Sequence, residues 1–136
     1  MSFDFLTPVD DTVLGVATLM PNQVLGKSIQ VHTEKLGFPD LKEIKIAIIG
    51  IQESRNSYYP VVEYDTDAFR REFYQLYPGN WHVKVADLGN LPSGDTPEDT
   101  YFALSAIATH LRQLNIIPVF LGGSQDLTVA LYHSFE

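Results

Sequence analysis

The chain has 136 residues, 45% of them hydrophobic and 19% charged, with a formal net charge of −8 and no cysteine. That length makes one ordinary domain, and the acidic balance offers no basic stripe for nucleic acid or an anionic membrane surface. The absence of cysteine removes disulfides, thiolate nucleophiles and Cys-ligated zinc together.

The amino terminus, Met1-Ser2-Phe3-Asp4-Phe5, lacks a basic stretch followed by an apolar one, so no signal peptide is read. No apolar run reaches the ~20 residues that a membrane-spanning helix needs. A soluble, cytoplasmic protein is expected. Residues 1–43 are the least regular and read as an irregular segment packing on the domain. Within them Phe5-Leu6-Thr7-Pro8 reads as a turn, residues 12–19 as a short helix or strand, residues 28–33 as a weakly alternating strand, and Gly37-Phe38-Pro39-Asp40 as a turn.

From residue 44 the pattern sharpens. Lys45-Ile46-Ala47-Ile48-Ile49-Gly50-Ile51 is nearly continuous in apolar residues, as expected of a strand buried on both faces. A polar loop follows, beginning Gln52-Glu53-Ser54-Arg55-Asn56-Ser57. Asp65 or Thr66 then caps a helix whose predicted inward face is Phe69, Phe73 and Leu76, with Arg70, Arg71 and Glu72 on the solvated side. Pro78-Gly79-Asn80 ends it. Residues 81–88 alternate as a second strand, closing at Asp87-Leu88-Gly89-Asn90.

Thr96-Pro97-Glu98-Asp99 carries a capping Thr, Pro at the first helical position and acids in the first turn. The helix it starts has the apolar stripe Leu104, Ile107, Leu111 and Leu114. Ile116 opens a third strand, in which Pro118 is tolerable only near the beginning. It ends at Gly122-Gly123-Ser124-Gln125-Asp126, and a last helix follows.

Residues 44–136 thus read as βαβαβα with right-handed crossovers. The fold class is α/β: a three-layer αβα sandwich on a parallel sheet, strand order 2-1-3, with the Val119 strand on an edge. A third strand this apolar wants a neighbour, and the sequence closes at Ser134-Phe135-Glu136 inside a helical pattern. The expectation is the amino-terminal portion of a larger α/β protein. An uncovered apolar edge also invites self-pairing, so a homo-oligomer is expected.

In order and spacing, three strand-end motifs resemble the ureohydrolase superfamily, which includes arginase, agmatinase and formimidoylglutamase. Ile46-Ala47-Ile48-Ile49-Gly50-Ile51 is similar to the family's first core strand, and Asp87-Leu88-Gly89-Asn90 to its D-x-G-D/N step. Pro118-Val119-Phe120-Leu121-Gly122-Gly123 is similar to the approach to its first metal-binding loop. The formimidoylglutamase-like branch is nearest in pattern.

The resemblance implies a partial arginase-like fold, a small-molecule substrate with a guanidino or formimino C–N bond, and a pair of Mn²⁺ ions that generate hydroxide. It implies metal positions at Gln125 and Asp126, on a loop formed by Gly122, Gly123 and Ser124, and a substrate-side loop carrying Glu53, Arg55 and Asn56. Where the family has its first histidine ligand this chain has Gln125, a much poorer Mn²⁺ ligand. The family's later Asp- and His-rich motifs do not occur, so this chain as it stands cannot complete a binuclear centre.

Other readings stand beside these. Ser124 and Asp126 are common helix caps, and that role is preferred for both. Glu53 and Arg55 also suit an ordinary solvated loop, and Asp87 and Asn90 are frequent turn-formers. Gln125 points either into the former metal pocket or to solvent. His32, His82, His110 and His133 show no ligand spacing, and His110 reads as half-buried packing. The aromatics Tyr58, Tyr59, Phe69, Phe73, Tyr74 and Tyr77 read as core and helix cover. With no Gly-rich phosphate loop after the early strands, a Rossmann nucleotide site is disfavoured. Two further functional classes stay open: a metal-free binding or assembly module that has lost catalysis, and a flavodoxin-like domain with a ligand at its switch point.

Overall fold

The computed structural model describes residues 2–59, 65–80 and 82–136. Its elements in chain order are a 3₁₀ turn (Ser2–Phe5), α1 (Asp11–Leu14), a second 3₁₀ turn (Gly15–Ala17), α2 (Leu25–Ser28), β1 (Gln30–Val31), β2 (Ile46–Ile51), α3 (Asp67–Phe73), β3 (Val85–Leu91), α4 (Pro97–Gln113), β4 (Ile117–Leu121) and α5 (Leu127–His133). The strands form one parallel sheet in the order β1-β3-β2-β4.

The three strands expected from residue 44 onward keep their relative order, with β2 between β3 and β4. The sheet nevertheless has four strands, because Gln30–Val31 adds a short edge beside β3. The same amino-terminal segment bridges Thr7 to Asn90, by Thr7 N–H to Asn90 O at 2.8 Å and Asn90 N–H to Thr7 O at 2.9 Å.

Helices cover both faces. On one, Ala47, Ile49, Ile51 and Leu88 pack against Leu104, Ile107 and Leu111 of α4 and Leu127 of α5. Leu104, Ile107 and Leu111 are fully buried, each contributing up to about 1.5–3 kcal/mol. The fourth member of the predicted stripe, Leu114, caps the helix and is exposed. The α4 start is a complete capping box: Asp99 N–H donates to Thr96 Oγ1 and Thr96 N–H to Asp99 Oδ2, with Pro97 leading the helix. His110 is half-buried against Phe3, its ring 4.2 Å from that phenyl and its Nδ1 3.0 Å from Ser2 Oγ.

The opposite face departs from expectation. Helix α3 and the turn that follows it bring Arg70 and the C-cap Tyr74 to the sheet, both with no exposed surface, and leave Phe69 and Leu76 exposed. Among the aromatics read as core, Tyr58, Tyr59 and Tyr77 are also exposed. The cause lies in β3. This strand runs over Val85–Leu91, later than the predicted 81–88, and it bulges. Ile48 pairs with Asp87 and Gly50 with Asn90, so β3 carries one residue more than β2 between these pairs. Gly89 takes up the irregularity at φ +96°, where a side chain would also meet Thr7 O. The extra residue brings Asp87 and Asn90 to the same face, and a buried carboxylate there selects the Arg70 side of α3.

Among the described residues strand β4 is paired along one edge, to β2. Ile117 is 63% exposed and Val119 39%. Ile117 N–H points inward to Lys45 O at 2.8 Å, so strand alternation turns the Pro118 nitrogen to the open edge, where it has no hydrogen to give. No helix among the described residues is long and apolar enough to cross a membrane.

Candidate functional site

Strand β2 leads toward α3 on one face of the sheet, and β4 leads into α5 on the other. Their departing loops therefore diverge at the carboxyl ends of two neighbouring parallel strands, the switch point where open α/β sheets bind ligands. The pairing of Gly50 with Leu121 puts both loops on one rim. They touch there, with Ser124 N–H donating to Glu53 O at 3.0 Å. Gly122 and Gly123 make the turn at φ +79° and +85°, and a Cβ on Gly123 would lie 2.3 Å from Leu127 Cδ1.

Glu53 is fully buried at the root of the β2 loop. Arg55 folds back on it, with Nη2 2.6 Å from Oε1, Nε 2.9 Å from Oε2, and its own N–H 3.1 Å from Oε2. Thr100 Oγ1 donates to Oε1 at 2.8 Å. The Arg55 guanidinium also donates to Asp95 O at 2.9 Å and Gly94 O at 2.8 Å, joining the loop after β2 to the loop after β3. Hydrogen bonds from Arg55 outweigh burial and hold the Glu53 carboxyl down at about 2. These bonds clamp the loops together, while the Arg55 side chain stays partly exposed at the rim.

Asn56 extends from the same loop. Its Nδ2 lies 3.0 Å from Tyr101 OH and 3.1 Å from Asp126 Oδ2, and the Tyr101 hydroxyl donates to the same Asp126 oxygen. Asp126 occupies the N-cap position of α5 but makes no side-chain capping bond, because its carboxylate is turned to Asn56 and Tyr101. The preferred capping role is therefore corrected. Burial raises the Asp126 carboxyl, but contacts from Ser124, Tyr101 and Asn56 more than offset it and leave it below the usual aspartate value. Ser124 is near enough to contribute, yet neither its Oγ nor Asp126 Oδ1, both buried, completes a hydrogen bond of good geometry. Gln125 is exposed.

Below the rim, on the α3 face, Arg70 grips Asp87 with both arms, Nε to Oδ2 at 2.8 Å and Nη2 to Oδ1 at 3.0 Å. Its remaining N–H groups face Gly89 O at 2.8 Å, Asn90 Oδ1 at 2.6 Å, Thr66 Oγ1 at 3.1 Å and, more distantly, Asp67 Oδ1 at 3.3 Å. Tyr74 OH donates to Asp87 Oδ2 at 2.6 Å and Gly89 N–H to Oδ1 at 3.1 Å. Burial, then the Asp87 charge, pushes the Tyr74 hydroxyl far above its ordinary range. Asp87 and Asn90 are thus strand residues of β3 joined in a buried hydrogen-bond network. Gly50 is required beside it, since a Cβ there would sit 2.3 Å from Asn90 Oδ1.

Sequence reasoning brought Glu53, Asn56, Ser124 and Asp126 to one rim but missed Thr100, Tyr101 and Arg70. A signal for Arg70 was present: an aspartate inside a strand buried on both faces needs a partner, and Thr66, Arg70 and Tyr74 recur at helical spacing. Tyr101 carried no such mark.

The rim offers the Asp126 carboxylate, one oxygen held by an amide and a phenol and the other beside Ser124 without a well-formed bond. Ser124 Oγ and Asp126 Oδ1 are close, but they complete no hydrogen bond of good geometry among the described residues. A manganese pair fits poorly. Gln125 contributes a neutral amide, Asp126 is partly engaged, and no group of three His, Cys, Asp or Glu residues suited to a metal occurs among the described residues. A cavity of about 480 Å³ opens at the far, amino-terminal end of the sheet, lined by Leu25, Ile44, His82 and Lys84 among others. It lies away from this chemistry. Comparisons with models of known protein families, with curated proteins and with solved structures found no match.

Proposed function

We propose that this chain is the amino-terminal, rim-forming region of a ureohydrolase-like cytoplasmic hydrolase acting on a guanidino or formimino C–N bond, and that it is inactive by itself. The observation that supports this reading most is Asp126 at the switch point. Its carboxylate is held below the usual aspartate range, one oxygen is fixed by Asn56 and Tyr101, and Oδ1 completes no hydrogen bond of good geometry among the described residues. A planar amidinium supplies the N–H donors that such an acceptor lacks, and a charge-assisted hydrogen bond there is about twice as strong as a neutral one. Any manganese chemistry requires ligands beyond those this chain contributes.

The test is a titration of the chain with guanidinium and with formamidinium, followed by amide NMR shifts. Shifts are expected at Asn56, Tyr101 and residues 124–126, and they should vanish in Asp126→Asn. Shifts elsewhere, or unaltered binding in that variant, would overturn the substrate reading. Release of urea or formamide by the chain with added Mn²⁺ would overturn the claim of inactivity.

A second reading, a metal-free binding or assembly module, draws on β4. Its apolar side chains are exposed at an unpaired edge, as the surface of an assembling protein would be.

A further inference from the structure

Resting on the assembly reading of β4, we infer that this strand pairs with β4 of a second copy of the chain, antiparallel across a two-fold axis centred on Phe120. The two four-stranded sheets then run on as one. Ile117 N–H points to Lys45 O, and the pairing with β2 continues to Leu121, so Val119 and Leu121 turn their N–H groups inward as well. Alternation leaves the N–H and C=O of Phe120, the C=O of Pro118 and the N–H of Gly122 on the open edge. A centre on Phe120 uses all of them. Phe120 exchanges both its bonds with its copy, and each Gly122 N–H meets the other chain's Pro118 O. A centre on Val119 sets Pro118 opposite Phe120 and strands Phe120 O, because proline has no N–H to give. A centre on Leu121 needs Gly122 as a strand residue, yet Gly122 turns away at φ +79°. It also faces Pro118 O with Ser124, whose N–H already goes to Glu53 O. Proline at one end and the diglycine bend at the other therefore fix the register.

Charge favours the same direction. Lys45, at the start of β2, and Arg112, just before β4, are exposed at the amino end of the sheet, and neither makes an ion pair among the described residues. Two acids at that end, Glu43 and Glu136, already face Lys84 and His133. The carboxyl rim carries Asp95, Glu98 and Asp126. Antiparallel pairing lays the acidic rim of each copy beside the basic amino end of the other, whereas parallel pairing sets acid beside acid. Shape agrees. An apolar cavity of about 420 Å³ follows this edge, lined by Ala108, Pro118, Phe120, Leu131 and Phe135, with Arg112 stacked 4.8 Å over the Phe135 ring. Directly opposed residues of an antiparallel pair share a face, so the second Phe120 ring lies beside the first on the side of this cavity.

Amide hydrogen exchange on the unaltered chain tests the pairing. Between ~10 μM and ~1 mM the Phe120 and Gly122 amides should slow by at least ~3-fold, while Val119 and Leu121, already bonded to β2, keep their rates. Register is read separately. The chain has no cysteine, so introduced thiols report alone. Val119 opposes Leu121 of the copy in a non-hydrogen-bonded pair with Cα atoms ~4.5 Å apart, inside the disulfide range of about 4.4–6.8 Å. An equimolar mixture of Val119→Cys and Leu121→Cys chains should therefore oxidise to a covalent dimer at least ~10-fold faster than either variant alone. Either variant cross-linking alone as fast as the mixture overturns the register. Unchanged Phe120 and Gly122 rates at ~1 mM overturn the pairing. If the light-scattering mass rises there all the same, the assembly reading stands and another surface carries it. Should a cysteine variant fail to fold, exchange on the unaltered chain decides.

Discussion

Asp87→Asn is the sharpest test of the network that holds the rim in place. Asp87 accepts four hydrogen bonds, two on Oδ2 from Arg70 Nε and Tyr74 OH, and two on Oδ1 from Arg70 Nη2 and Gly89 N–H. An asparagine has one oxygen, so either amide orientation points N–H groups at donors. The phenol of Tyr74 can turn, but the Arg70 and Gly89 donors cannot. The Arg70 charge, with no exposed surface, also loses its main counter-ion. Breaking one partner of a buried pair costs about 3–5 kcal/mol, a large share of the roughly 5–15 kcal/mol that stabilises a domain. With a urea m-value near 2 kcal/mol/M, the unfolding midpoint should fall by about 1.5–2.5 M at unchanged m.

Adding Arg70→Met removes the stranded charge, so the double variant should lose less than the sum of the singles, by about 1–3 kcal/mol. A loss below about 1 kcal/mol for Asp87→Asn, or strict additivity in the cycle, would refute the account of α3 as a helix oriented by a buried ion pair.

Gly50→Ala should destabilise by about 1–3 kcal/mol in the same assay, because its Cβ falls on Asn90 Oδ1 and Thr66 inside a packed network. Acid should act through Glu53. Its folded pKa, about 2 against an ordinary 4.5, means its contribution is present above pH 4.5 and is lost as pH falls toward 2. Glu53→Gln should flatten the pH dependence of stability in that window, and an unaltered slope would count against the clamp. The exposed β4 edge should make the chain associate at high concentration, and Ile117→Lys should shift light-scattering masses toward the monomer. A strictly monomeric parent chain would remove this expectation. Pro118 already withholds one donor from that edge, so pairing is expected to be weak and concentration-dependent.

What could be read along the chain was what depends on near neighbours. The apolar run before Gly50, the Thr96-Pro97-Glu98-Asp99 start of α4, its Leu104–Ile107–Leu111 stripe and the diglycine bend each rest on local geometry, and each lies close to where it was expected. Parallel order followed from the alternation of strands and helices. The placement of β2 and β4 side by side then carried Glu53, Asn56, Ser124 and Asp126 to one rim. The inward face of α3 was settled only in three dimensions. By hydropathy Phe69, Phe73 and Leu76 outrank Arg70, but hydropathy assigns Arg70 its solvated state. A bulge at Gly89 sets Asp87 and Asn90 on one face, and they supply the guanidinium with a full set of acceptors. Likewise the sequence left Arg55 between a substrate contact and a solvated loop, and only the fold shows it bonded to Glu53 and to the Gly94 and Asp95 carbonyls. Partners distant along the chain decide the state of a charged side chain, and that information exists only once the strands are paired.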